Sequence, residues 1–131
     1  MRVRQIYTAS KLRNFTYLIT AGDQVAVCID PFDAQQIQRE LEAQGRRLTH
    51  IINTHEHWDH VEGNPELVRI YQPEVLAHPD CGAPGQTGSL GAGQRIDIEP
   101  GSYLEVLETP GHTAVHVCLL LVEAGRPESI F

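Results

Sequence analysis

Basic charge is what this sequence of 131 residues lacks most: 10 lysines and arginines stand against 17 aspartates and glutamates, a formal net charge of −7. Phosphate binding needs a basic face, so a nucleic-acid partner is not expected. Bound divalent cations would offset part of that charge locally. Cysteine is scarce as well. Cys28, Cys81 and Cys118 are scattered and odd in number, which argues against a disulfide framework. Cys28 and Cys118 lie in apolar runs and read as core thiols. Cys81 sits beside Gly82 in a loop, is expected to be exposed, and has no second cysteine at ligand spacing. No apolar run nears the ~20 residues that span a bilayer. The start, Met1-Arg2-Val3-Arg4-Gln5, lacks the apolar core of a signal peptide. A cytoplasmic protein without a membrane partner is therefore expected. There is no internal repeat, low-complexity tract or domain boundary, so residues 1–131 read as one domain.

Strand and helix signals alternate along the chain. Val3–Tyr7 and Phe15–Thr20 read as strands. The nearly continuous apolar run Gln24–Ile29 suits a strand covered on both faces, ended by Asp30-Pro31. A helix follows, with Asp33 as its cap, Gln36 three residues on, Ile37 and Leu41 on one face, and Gly45 as its stop. Leu48–Asn53 is the next strand. The order strand, helix, strand implies a right-handed crossover and a parallel pair. Asn64 is expected to cap a second helix with Pro65 in its first position, and Val75–His78 is a short strand. The glycine-rich stretch Pro79–Gly93 reads as a surface loop, since its glycines form no phosphate-binding pattern. Ile96–Ile98, Tyr103–Leu107 and Val115–Val122 are strands. Ala124–Pro127 is a turn, and Ser129-Ile130-Phe131 opens a further strand.

What the chain does have is Thr54-His55-Glu56-His57-Trp58-Asp59-His60, with three histidines and one aspartate inside six residues. Neutral imidazole binds transition metals through a ring nitrogen, and carboxylate adds charge neutralisation. Residues two apart on a chain leaving a strand point the same way, so His55 and His57 can address one cation. Asp59 and His60 are offset and would face a second position if the chain turns into a helix there. Two cations about 3.5–4 Å apart suit such a pattern. Glu56 is expected to face solvent and Trp58 to pack behind the loop. His112, after Pro110-Gly111, is the candidate third ligand of the first cation. Asp30, ending the strand parallel to the one that leads into the motif, is a candidate for orienting a ligand histidine. His116 is expected to play a supporting role, His50 a structural one, and His78 ranks below His112.

These residues resemble the metallo-β-lactamase superfamily. The resemblance rests on Thr54–His60 and Thr109-Pro110-Gly111-His112-Thr113. Within it, the chain is most similar to the glyoxalase II (hydroxyacylglutathione hydrolase) group, through Asn14-Phe15-Thr16-Tyr17-Leu18-Ile19, Ile29-Asp30-Pro31 and Gly63-Asn64. The resemblance implies an α/β (α+β) fold, a four-layer αββα sandwich of which this chain is the N-terminal half. It implies one or two Zn2+ ions, with Fe or Mn as alternatives. His55, His57 and His112 would hold the first cation, and Asp59 and His60 the second, Asp59 also orienting the attacking water. The implied reaction is hydrolysis of a small-molecule thioester, a glutathione thioester above all. The rivals are an iron persulfide dioxygenase, another superfamily thioesterase or lactonase, and a metal-binding module without activity. Ala114-Val115 departs from the commoner Pro-Gly after the histidine turn. The bridging aspartate, a later histidine and the glutathione-binding region are expected beyond Phe131, so self-association is expected of the chain as it stands.

Overall fold

The computed structural model describes all residues, Met1–Phe131. Six strands form one sheet in simple order: β1 (Arg2–Tyr7), β2 (Phe15–Ala21), β3 (Val25–Ile29), β4 (His50–Ile52), β5 (Glu74–Ala77) and β6 (Gly88–Ser89). The first three pair antiparallel, and β3 to β6 run parallel. A second, antiparallel sheet is ordered β10-β9-β8-β7, from β7 (Arg95–Glu99), β8 (Ser102–Glu108), β9 (Val117–Glu123) and β10 (Arg126–Ile130). The helices are α1 (Ala34–Ala43), α2 (Trp58–Val61) and α3 (Asn64–Tyr71).

Side-chain alternation along the strands builds two cores. On one face of the first sheet, Leu18, Cys28, Ile51 and Val75 meet Ile37 and Leu41 of α1 and Leu67 of α3. On the other face, Ile19, Val27, Ile29 and Ile52 meet Ile96, Leu104, Val106, Leu119 and Leu121 of the second sheet. β3 supplies both cores, which is why its sequence runs almost without a polar residue. Each large side chain so buried contributes about 1.5–3 kcal/mol. The result is a helix layer on a sheet on a second sheet, three of the four layers that the resemblance implies. The outer face of the second sheet carries Leu107, Cys118 and Leu120, all partly exposed. Cys118 is thus not the core thiol expected, because it alternates with the inward Val117 and Leu119.

The crossover through α1 follows the sequence reading closely. Asp33 Oδ1 accepts from the Gln36 amide at 3.1 Å, and Gly45 follows the helix with φ +63, a value that suits glycine. Four other expectations fail. Asn64 is the first residue of α3, and Gly63 caps it. Gly63 is held by its N–H to Pro31 O at 2.9 Å, and a Cβ there would meet that same oxygen at 2.9 Å. That leaves Asn64 turned inward and fully buried. Trp58 is 51% exposed, edge-on to Phe32, because the inward side of α2 is taken by Asp59. Cys81 is buried against Ala77 and Ala83, drawn back by a turn in which its N–H donates to His78 O. The glycine-rich stretch is not all surface loop: it adds β6 to the sheet and puts Leu90 in the core.

Candidate metal centre

The carboxyl ends of β3 and β4 deliver Asp30 and the segment Asn53–His57 to one edge of the first sheet, where ligands gather in parallel α/β sheets. The second sheet is tied to that edge. Val117 N–H donates to Thr54 O at 2.9 Å, and Thr109 N–H to His116 O at 3.0 Å. The loop between β8 and β9 therefore hangs over the motif and brings His112 to it.

Three imidazoles converge there. His55 Nε2 lies 3.2 Å from His57 Nδ1, and His112 Nε2 lies 3.1 Å from the same atom. Zinc–nitrogen bonds of about 2.0–2.1 Å in tetrahedral array separate neighbouring nitrogens by about 3.3 Å. The cluster thus has the donor type and spacing of three corners of a tetrahedral cation site. His57 and His112 are exposed while His55 is buried, which leaves the remaining side open to solvent.

The nitrogen that each buried imidazole offers is set by Asp30 and Thr54. Asp30 Oδ1 accepts from the Thr54 amide at 2.7 Å. Asp30 Oδ2 accepts from the Thr54 hydroxyl at 2.6 Å and from His60 Nδ1 at 2.9 Å. A hydroxyl has one proton, and Thr54 gives it to Asp30. The contact of 2.9 Å between Thr54 Oγ1 and His55 Nδ1 is therefore a donation from the imidazole. His55 is held with Nδ1 protonated and Nε2 free for the cluster. His60 is likewise anchored to Asp30 through Nδ1, its Nε2 lying 3.5 Å from Asp59 Oδ2. Asp30, His55 and His60 also lie close enough to count as a metal-sized group. With three hydrogen bonds already accepted, Asp30 serves instead to orient its neighbours. It adopts φ +52 to do so, a left-handed conformation that aspartate tolerates better than most residues.

The sequence-derived candidates fall into distinct places. His55, His57 and His112 share one cluster; Asp59 and His60 form a pair beside it. Glu56 is exposed. His116 stacks 5.0 Å from His55 and accepts or donates at Thr109 Oγ1. His78 binds the Asp80 amide outside the cluster, and His50 lies 4.0 Å from Glu74. Thr54 was not singled out from sequence. Its only sequence signal is a hydroxyl residue at a strand end directly before a ligand-type histidine.

Without a cation, burial holds the His55 imidazole down to about 4, helped by the nearby His60 and opposed by Asp30. Burial also lowers His116. Burial would lower His60 too, but the Asp30 hydrogen bond and the charges of Asp30 and Asp59 raise it above its ordinary value. The linkage signs are opposite. His55 stabilises the fold above its ordinary 6.5, and that contribution is lost as pH falls toward about 4. The His60 contribution is full below 6.5 and is lost as pH rises through its raised value. Chelated protein should therefore be most stable near pH 6.5, losing thermal stability as pH falls toward about 4 and again as it rises through the raised His60 value. Melting temperature against pH in the presence of chelator measures this; a flat profile between pH 4 and 6.5 would contradict the His55 assignment.

A helix-backed pair of sheets with imidazoles converging at one sheet edge defines a metal-binding protein of the mixed α/β class. The chain belongs to the metallo-beta-lactamase superfamily, whose profile matches residues 11–91. It is 39% identical to the hydroxyacylglutathione hydrolase of Nitrosococcus oceani, over 100% of this chain and 50% of that protein. It is 36% identical to that of a Polaromonas species, over 91% of this chain and 46% of the relative. Among solved structures, ETHE1 from Myxococcus xanthus superposes with a TM-score of 0.78 at 30% identity, over 92% of this chain and 54% of that one. A metallo-beta-lactamase from Staphylococcus aureus gives 0.83 at 26% identity, over 100% of this chain and 42% of that one. The chain spans about half the length of the curated relatives it matches. No helix is long and apolar enough to cross a membrane.

Proposed function

We propose that this chain carries the metal-binding part of a hydrolase acting on hydroxyacylglutathione thioesters. The observation that supports this most is the convergence of His55 Nε2 and His112 Nε2 on His57 Nδ1, at 3.2 and 3.1 Å. These three would hold the first cation, with zinc favoured by an all-nitrogen donor set. Asp59 and His60 would contribute to a second. When bound, a cation supplies Lewis acidity for the thioester carbonyl and acidifies water toward neutral pH. The protein's own part is positional. Asp30, through Thr54, keeps neutral His55 in the tautomer that leaves Nε2 unprotonated, and it holds His60 by Nδ1 so that Nε2 faces Asp59. Asp59, buried beside His60, presents a carboxylate oxygen able to accept a hydrogen bond from water and so orient it. A thiolate leaves readily, so no dedicated general acid is required. Three free thiols suit a cytoplasmic setting.

A second reading has one observation in its favour. Asp59 belongs to no group of three donors. A module holding one cation at the three-imidazole cluster, without turnover, would look the same. Elemental analysis of the purified 131-residue chain, together with a thioester hydrolysis assay, decides between them. Hydrolysis lost on chelation and restored by zinc supports the hydrolase. One equivalent of metal without turnover supports the module. Iron in place of zinc would point to oxygen chemistry, and no bound metal would overturn both.

A further inference from the structure

Asp59 and His60 sit on α2, which has only four residues, Trp58–Val61. A helix this short cannot satisfy its own carbonyls. The Glu62 amide reaches Trp58 O at 2.9 Å. The next two carbonyls are met from outside by two asparagines that approach from different parts of the chain. Asn14, in the loop between β1 and β2, donates from Nδ2 to Asp59 O at 2.6 Å. Asn53, at the end of β4, donates from Nδ2 to His60 O at 2.9 Å. A carbonyl only accepts, so both amide orientations follow from the partner.

Each asparagine is itself held. Asn14 Oδ1 accepts from the hydroxyls of Thr8 and Ser10, both buried. Asn53 is fully buried and exchanges amide bonds with Asn64, whose Nδ2 also reaches Pro84 O at 3.1 Å. The turn bearing Asp59 and His60 is thus clamped at consecutive carbonyls, one from each side.

We infer that Asn14 and Asn53 are positioning residues that fix the Asp59–His60 pair as donors for the second cation, independently of the three-imidazole cluster. None of their hydrogen bonds touches His55, His57 or His112. The inference rests on the reading that Asp59 and His60 hold a cation. Asn14 lies 45 residues before Asp59, so this contact is made by the fold and not by the motif itself.

Cadmium-113 NMR of the 131-residue chain separates the two positions, because each bound cadmium gives its own resonance. Asn14→Leu and Asn53→Leu should leave the first resonance at the parent's cadmium concentration. The second should need about 10- to 100-fold more cadmium, the usual effect of losing an outer hydrogen-bond partner. Asn14→Asp, which keeps the acceptor for Thr8 and Ser10 but loses the donor, should behave like Asn14→Leu. A second resonance at parental concentration in the Asn14 variants would overturn the inference, as would equal weakening of both resonances. A parent that shows only one resonance would sink the second-cation reading by itself. Amide exchange in the metal-free chain then decides the clamp: the Glu62 amide should exchange at least tenfold faster in Asn14→Leu with the β8 and β9 amides unchanged, and an unchanged rate would overturn it. If Asn53→Leu fails to fold, the two Asn14 variants carry the test.

Discussion

Asp30→Ala should cost the metal-free protein about 3–5 kcal/mol and weaken first-cation binding about 10- to 100-fold. Asp30 is 5% exposed, and its carboxylate accepts three hydrogen bonds, from the Thr54 amide, the Thr54 hydroxyl and His60 Nδ1. Alanine leaves the Thr54 amide and His60 Nδ1 without this acceptor and frees the Thr54 hydroxyl to turn to His55 Nδ1; a buried donor left unpaired costs about 1–3 kcal/mol. The backbone adds to this, since Asp30 has φ +52 and alanine is less tolerant there by about 1–2 kcal/mol. Asp30→Asn separates the two contributions. Asparagine accepts the left-handed backbone and retains one acceptor oxygen, so it should fall between parent and alanine in stability. It should still release the Thr54 proton and with it the tautomer of His55. Denaturant unfolding under chelation and zinc titration by calorimetry measure the two effects. An Asp30→Ala protein as stable as the parent would remove Asp30 from the centre of the network.

His57→Ala should do the reverse. The side chain is exposed, and its only polar contacts are to the His55 and His112 nitrogens that would share the cation with it. Metal-free stability should change by no more than about 0.5 kcal/mol, as for other surface substitutions. Zinc affinity should fall by more than the ~100-fold upper end expected of an outer partner, because a donor itself is gone. Zinc titration with chelator competition reads this, and parental affinity would exclude His57 as a ligand. The two variants together distinguish a residue that holds the fold in shape around the cation from one that holds only the cation.

Much of this was legible in the chain because it is local. The β3-α1-β4 crossover is written in a buried strand, a capped amphipathic helix and a second strand, and the structure keeps Asp33, Ile37, Leu41 and Gly45 in the roles their spacing implies. The errors share one cause. Asn64, Trp58, Cys81 and Cys118 were placed by their own neighbours in sequence, while their burial is set by what packs on them from elsewhere. Pro31 holds Gly63 and turns Asn64 inward. Asp59 takes the inner face of α2 and leaves Trp58 outside. Strand alternation puts Cys118 on the uncovered face.

Sequence alone determined which side chains are chemically able to hold a cation, because ligand type and strand-end spacing belong to the segment His55–His60 itself. Tertiary structure decided how they are used. It brings His112 to His57 across 55 residues, and it commits one nitrogen of His55 and of His60 through an aspartate from another strand. Both depend on contacts between distant segments: strand order marks Asp30 as a candidate for orienting a histidine, but no local pattern records which ring nitrogen it meets or that Thr54 stands between it and His55.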